Sequence, residues 1–323
     1  MTKLSVFATR NRVPEAISLL KNHFDVEVWE ENSIPPHDVL IKKASEHDGI
    51  FCESDDPINA EVLKAGKNKL KIVASRSVGL DHIDVKCATE CGIIVSNTPG
   101  VLIESCADFT FGLILNIARR LSEGDRNIRA GKWLMFDQMP YRGTDIHGAT
   151  LGLLGMGGIA SAVAKRAKGF NMNVIYFSRT RKSSLESELN LTWMPDLSTL
   201  LSNSDFLSIH VPLTPETEGI IGESELRLMK PEAYLINTSR GKTVNSDALY
   251  QALKSGVIKG AGIDVTDPEP LDTNDPLISL DNILITPHIA SASSATFTNM
   301  GLLSAENLIA ALNGEKCSNF VNV

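Results

Sequence analysis

The chain has 323 residues, with 31 Lys and Arg against 39 Asp and Glu, and a formal net charge of −8 that argues against a nucleic-acid-binding surface. Hydrophobic residues make up 43%, mean hydropathy is −0.01, and the apolar stretch 109–118 is interrupted by Gly112 and Asn116, so no membrane span is expected. The length exceeds one ordinary core and predicts two domains.

Residues 1–7 lead directly into a strand without a signal-peptide core, and the five cysteines (Cys52, Cys87, Cys91, Cys106, Cys317) form no even framework. Both suit a reducing cytoplasm. Cys87 and Cys91 lie four apart on an expected helix, but no second ligand pair follows, so no metal is expected.

In chain order, short apolar runs predict strands over 4–8, 26–29, 49–51, 72–74 and 93–96. They alternate with helices over 14–22, 38–46, 59–66 and 85–91. Such alternation implies a parallel, doubly wound sheet. Asn97-Thr-Pro-Gly100 punctuates the chain, and a long helix follows over about 103–120.

A second α/β block opens with a strand over 151–154, the turn Gly155-Met-Gly-Gly158, a helix over 159–170 and a strand over 173–177. That order builds a dinucleotide site: the pyrophosphate sits on the helix N-terminus, Gly155 allows the tight turn, and Gly157 lets the backbone approach the phosphates. Ala160 stands at the third fingerprint position, where it still permits close helix–strand packing. Met156, Gly158 and Ile159 complete the expected cofactor contacts here.

A site for NAD places Asp or Glu about 20 residues beyond the glycines. Ser178-Arg-Thr-Arg-Lys182 occupies that place here. An Arg fork suits a 2′-phosphate and a carboxylate repels it, so Ser178, Arg179 and Thr180 favour NADP(H), with NAD(H) the alternative. Arg181 and Lys182 read equally well as a solvated loop.

Further strands are expected over 206–210, 234–237, 260–264 and 283–285, with helices over 198–202, 222–228 and 246–255. The helix over 295–313 carries Met300, Leu303, Leu308 and Leu312 on one face and has no sheet of its own left to cover. It should return to the first block. The expected fold is therefore α/β, with two doubly wound parallel-sheet (Rossmann-like) domains and an interdomain cleft. A discontinuous substrate domain (1–99 and 290–323) would accompany a dinucleotide-binding domain (100–289).

Arg240, Glu269 and His288 stand just after strands of the second block or in loops beyond them, where open α/β sheets bind ligands. Six stretches carry a resemblance over nearly the whole chain. They are Ser77-Val-Gly-Leu-Asp-His82, Leu154-Gly-Met-Gly157, His210-Val-Pro-Leu-Thr-Pro-Glu-Thr217, Asn237-Thr-Ser-Arg-Gly241, Gly262-Ile-Asp-Val-Thr-Asp-Pro-Glu-Pro270 and Pro287-His-Ile-Ala-Ser291. The sequence resembles the D-isomer-specific 2-hydroxyacid dehydrogenases, nearest to their glyoxylate/hydroxypyruvate reductase branch.

That resemblance implies an NADPH-preferring reductase of a small 2-keto acid, with Arg240, Glu269 and His288 as its catalytic group. His288 would give the proton that the developing alkoxide needs. Glu269 would orient the imidazole and favour its charged form. Arg240 would bind the substrate carboxylate and polarise the carbonyl, joined by the backbone N–H groups of Val78 and Gly79. The expected cofactor contacts add His210, Val211, Pro212, Thr217, Thr238, Ser239, Arg240, Asp264, His288 and Ala290. His210 is expected on the adenosine side, not in proton transfer, and Asp264 has a turn or cap as its alternative role.

Cys106 and Ile103 replace residues that in relatives often bear a hydroxyl near the phosphates. Phe136 stands where the nearest reductases tend to have Trp, and Cys52-Glu-Ser54 with Arg76 suggests a polar substrate pocket. The resemblance also implies a homodimer through the long helix and residues 129–141, and no nucleic-acid or membrane partner. Glu269 speaks against a formate dehydrogenase, which pairs its histidine with Gln, and the chain ends soon after its last helix, unlike long phosphoglycerate dehydrogenases. An NAD-dependent D-lactate dehydrogenase and a non-enzymatic corepressor on the same scaffold are the alternatives.

Overall fold

The computed structural model describes residues 3–322, which fall into two compact units, residues up to 102 with 292 onward, and 103–291. In chain order the first unit runs β1 (Ser5–Ala8), α1 (Pro14–His23), β2 (Asp25–Val28), α2 (His37–Glu46), β3 (Gly49–Cys52), α3 (Ala60–Gly66), β4 (Ile72–Ser75), α4 (Val85–Glu90) and β5 (Ile94–Ser96). The second holds α5 (Ile103–Arg119), α6 (Leu121–Arg129), β6 (Thr150–Leu154), α7 (Gly158–Lys168), β7 (Asn173–Phe177), α8 (Ser183–Leu189) and β8 (Leu191–Trp193). It continues through α9 (Leu197–Asn203), β9 (Phe206–Ile209), α10 (Glu223–Leu228), β10 (Tyr234–Asn237), α11 (Ser246–Lys254), β11 (Gly260–Ile263) and β12 (Ile283–Ile285). The last helix, α12 (Ser294–Leu312), belongs to the first unit.

The first sheet has five parallel strands in the order β2-β1-β3-β4-β5. Its central strands β3 and β4 are buried along their whole length, as strands covered on both faces must be. Helix α12 packs on α1 and on β3, β4 and β5, so the returning helix closes this core. Met300, Leu308 and Leu312 are buried as expected, whereas Leu303 is only half-buried; Gly301, Ser304 and Asn307 are buried too, because α12 is enclosed on more than one side.

The order of this sheet reverses between β1 and β3, where a doubly wound fold commonly takes a ligand. Here the protein's own charges fill the place: Arg10 after β1 pairs with Asp55 and Asp56 after β3.

The second sheet has seven parallel strands in the order β12-β11-β10-β9-β6-β7-β8. Its switch point lies between β6 and β9, so a ligand is directed to the ends of those two strands. Helices α5 and α7 pack together on one face of the sheet.

Three elements were not expected from the sequence. Helix α6 buries no residue, β8 is a three-residue edge strand, and α8 buries only Leu189. All three are short or exposed: α6 leaves Leu121 and Ile128 more than half exposed, and β8 offers only a three-residue alternation. The long helix also stops at Arg119, because Arg120 adopts a left-handed conformation (φ 55°) and starts α6 afresh.

Candidate active site

The glycine turn after β6 is dictated by space. Gly155 has φ +94°, and a Cβ there would lie 2.7 Å from the carbonyl oxygen of His210, the first residue after β9. Only glycine allows the two strand ends to close on each other. Around Gly157, the N-cap of α7, a Cβ would meet nothing within 4 Å, so the backbone is open to a phosphate at the positive end of an eleven-residue helix. At Gly158 a Cβ would strike Ile103 Cδ1 at 2.7 Å, while Ala160 is fully buried. Met156 turns into the core, and Ile159 is half-buried. These residues fit a dinucleotide pyrophosphate.

The basic run after β7 separates into two functions. Arg181 is held by Glu186 through paired hydrogen bonds of 2.8–3.2 Å and lies over the Trp193 ring. Tyr176 donates to the same carboxylate and accepts the Lys182 N–H, each at 2.7 Å. Arg181 is thus a brace of the turn. Arg179 and Thr180 are exposed, Ser178 donates its hydroxyl to Thr180 O at 2.7 Å, and Arg179 makes no hydrogen bond among the described residues.

The remaining cofactor candidates are mostly tied to their own loops. The Thr217 hydroxyl donates to Pro212 O, and Val211 Cγ1 lies against the Gly155 turn. Thr238 pairs with Thr110, and Ser239 donates twice to Asn237 Oδ1. Burial of the His210 imidazole pushes its pKa down to about 4, so this ring is neutral and its Nε2 meets Ser208 Oγ at 2.8 Å. Burial also raises the Cys106 thiol to about 12, helped by the charge of Asp264, which leaves it unreactive.

Arg240 follows β10. Its carbonyl is held by Asn237 Nδ2 (3.0 Å) and Thr243 Oγ1 (2.7 Å), and its own Nη1 donates to Ser239 O. A Cβ at Gly241 would lie 1.9 Å from Thr266 O, so glycine alone lets the loop after β10 touch the loop after β11. That contact brings the charge of Arg240 to bear on Glu269.

The Glu269 carboxylate accepts the Thr266 N–H at 2.9 Å and faces His288 Nδ1 at 2.8 Å. Partial burial works to raise its pKa. The bond to His288, the positive charges of His288 and Arg240, and the Thr266 N–H outweigh burial and hold Glu269 below the usual carboxylate range. The imidazole is 44% exposed, and its Nε2 has no hydrogen-bond partner among the described residues.

His288 itself sits at φ +55°, an unusual conformation for a residue with a side chain. Asp264, at the end of β11, holds it there. Its carbonyl accepts the His288 N–H at 2.8 Å, and its carboxylate accepts the Thr286 hydroxyl and the N–H groups of Ile289 and Ala290 at 2.6–2.9 Å. Of the two roles expected for Asp264, loop holding is the one its hydrogen bonds display.

In the first unit, the turn Ser77-Val-Gly79 has its carbonyl oxygens covered from within. Thr98 N–H donates to Ser77 O (2.9 Å), Asn97 Nδ2 to Val78 O (2.9 Å) and Ser77 Oγ to Gly79 O (2.6 Å). The N–H groups of Val78 and Gly79 donate to no acceptor among the described residues. Asn97 was not singled out by sequence reasoning, because Asn before Thr-Pro signals only a turn; its partner is 19 positions away.

The expected polar pocket at Cys52–Ser54 and Arg76 is corrected. Cys52 and Glu53 are buried, and Glu53 is bound in a two-pronged ion pair to buried Arg76, whose guanidinium lies 4.1 Å over the Phe297 ring. Only Ser54 of the three is exposed.

Residues 111–290 match the family model described as D-isomer specific 2-hydroxyacid dehydrogenase, NAD binding domain. The chain is 48% identical over 321 residues to the glyoxylate reductase of Korarchaeum cryptofilum, covering 99% of this chain and 96% of that protein. It is 46% identical to the glyoxylate reductase of Aeropyrum pernix, covering 100% and 97%. Among solved structures, the NADPH-dependent glyoxylate/hydroxypyruvate reductase of Sinorhizobium meliloti, in complex with NADP and malonate, superposes with a TM-score of 0.87 at 32% identity. That match covers 99% of this chain and 97% of the other. A fold of two parallel α/β sheets, a dinucleotide turn at the switch point and an arginine, glutamate and histidine on the adjoining loops agree with these matches: the chain belongs to the D-isomer-specific 2-hydroxyacid dehydrogenases and is an NAD(P)-dependent oxidoreductase.

Proposed function

We propose that this enzyme reduces glyoxylate or hydroxypyruvate to the corresponding 2-hydroxy acid with NADPH in preference to NADH, and that His288 is its proton donor. The observation that carries the reading is the 2.8 Å contact between Glu269 and His288 Nδ1, which leaves Nε2 without a partner among the described residues, with Arg240 close enough for its charge to act on Glu269. A bound nicotinamide cofactor supplies the hydride. His288 Nε2 then gives a proton to the keto oxygen as it gains charge, and Glu269 stabilises the imidazolium and fixes its plane. Arg240 pairs with the substrate carboxylate, and in the first unit the N–H groups of Val78 and Gly79, which have no acceptor among the described residues, form a turn suited to carboxylate oxygens.

Two observations support the cofactor preference. The end of β7 bears Arg179 and no carboxylate, and the Sinorhizobium relative is described as NADPH-dependent. The substrate preference rests on the names of the full-length relatives. We also infer a homodimer through the segment after α6, where Trp133, Leu134, Met135, Phe136 and Met139 are 59–89% exposed, an unusual apolar surface for a free chain.

A steady-state screen of NADPH and NADH against glyoxylate, hydroxypyruvate, pyruvate and phenylpyruvate tests the reading. The expected result is a kcat/KM for glyoxylate or hydroxypyruvate above the other acids, and at least about tenfold higher with NADPH. Turnover confined to pyruvate or phenylpyruvate, or an NADH preference, overturns the substrate or the cofactor part respectively.

A further inference from the structure

We propose that Asn97 is a positioning residue for substrate binding, acting through the peptide plane it anchors. The inference rests on the reading above that the Val78 and Gly79 N–H groups take the substrate carboxylate. A peptide unit is planar and trans, so its C=O and N–H point in opposite directions. Anchoring the oxygen therefore aims the hydrogen.

The Val78 carbonyl shares its peptide unit with the Gly79 N–H, and Asn97 Nδ2 holds that carbonyl at 2.9 Å. The Ser77 carbonyl shares its unit with the Val78 N–H, and Thr98 N–H holds it at 2.9 Å. Two adjacent residues thus orient two adjacent N–H groups. One anchor is main chain; the other is a single amide side chain. Without Asn97, the peptide 78–79 is free to turn, all the more readily with glycine at 79.

The turn's third carbonyl is fixed independently. Ser77 Oγ donates to Gly79 O, so its one hydrogen is committed. Ser75 Oγ must then donate to Ser77 Oγ (2.8 Å), and His82 Nε2 must donate to Ser75 Oγ (3.0 Å). This string closes the turn but does not orient the 78–79 plane.

Asn97 is itself held rigidly. Buried Asn307 on α12 donates to Asn97 O at 2.9 Å, and the Asn97 N–H reaches Asn319 O at 3.3 Å. The Asn307 side-chain oxygen accepts from Asn319 Nδ2 (3.0 Å) and Cys317 Sγ (3.1 Å). The returning helix and the residues after it therefore set the position of the anchor.

The test measures inhibition by oxamate, an unreactive isostere carrying the carboxylate of a keto acid. Asn97→Ala, and Asn97→Asp, which keeps the shape but loses the donor, should each raise the oxamate Ki and the glyoxylate KM roughly tenfold. NADPH Kd and Tm should stay near the wild-type values, and Asn97→Gln, which keeps a donor, should recover part of the loss. Unchanged oxamate Ki in both donor-less variants overturns the proposal, as does an equal loss of NADPH affinity. An amide-to-ester replacement at Gly79, which deletes the N–H that Asn97 aims, separates the two readings. If the ester weakens oxamate and Asn97→Ala does not, the turn holds the carboxylate without help from Asn97. If the ester leaves oxamate binding intact, the turn does not hold the carboxylate.

Discussion

His288 depends on two carboxylates with different tasks. Asp264 imposes the left-handed backbone at 288 through the flanking N–H groups, and Glu269 orients the ring through Nδ1. The sign of the pH dependence follows from the lowered Glu269 pKa. The carboxylate stays charged down to a pH below the usual range of about 4.3, so its contribution is present above that range and lost only as pH falls further. Keto-acid reduction should therefore show no acid limb from Glu269 between about pH 5 and 7. Glu269→Gln removes the anion paired with His288 Nδ1, so its kcat/KM should fall at least about tenfold. A pH–rate profile of wild type and the kcat/KM of the variant check both; an unchanged kcat/KM would detach Glu269 from the chemistry. At the other end of the site, Arg179→Asp should raise the NADPH KM about tenfold or more and leave that for NADH within a fewfold. Equal effects on both would remove Arg179 from 2′-phosphate recognition. The pairing of 269 with 288 was legible as a motif, whereas the support from Asp264 and the separate employment of Arg181 were not, because neither has a local signature.

At the scale of elements, the two sheets are stitched by the same device. Asp48, just before β3, accepts the Ser5 N–H at the start of β1 and pairs with Lys69 and Lys71 ahead of β4. Asp205, just before β9, accepts the Thr150 N–H at the start of β6 and pairs with Lys230 ahead of β10. In the Asp48 case burial alone would raise the pKa. The Ser5 N–H and the two lysines reverse that and lower it, so its stabilisation is complete above the unfolded value of about 3.9 and lost as pH falls below it. Asp48→Asn should cost on the order of 1–3 kcal/mol at pH 7, with a narrower gap to wild type at about pH 3, below the unfolded pKa. Denaturant unfolding at the two pH values decides this; a gap undiminished in acid would contradict it. The buried strands and the amphipathic helices were legible because periodicity records which side faces a core. Helices α6 and α8 were not, since almost nothing on them is buried and their formation owes more to neighbours than to pattern.

For the molecule as a whole, the segment after α6 states the clearest expectation. Leu134 and Phe136 are 89% and 79% exposed, and a second copy of the chain is the partner that would cover them. Leu134→Asp combined with Phe136→Asp should shift the mass by light scattering from dimer to monomer; an unchanged mass would place the interface elsewhere. The amino-acid order by itself determined two parallel α/β units, the return of the last helix and the glycine turn after β6. Those features are written in local spacing: glycine where a backbone must turn, apolar runs where a strand is covered on both faces. Only the tertiary structure decided which polar groups are engaged and which are left for a ligand. The bond that orients His288 spans 19 positions, and the one that steadies Asn97 spans 210. Hydrogen bonds are short-ranged and directional, so partners so far apart along the chain meet only once the sheets have formed.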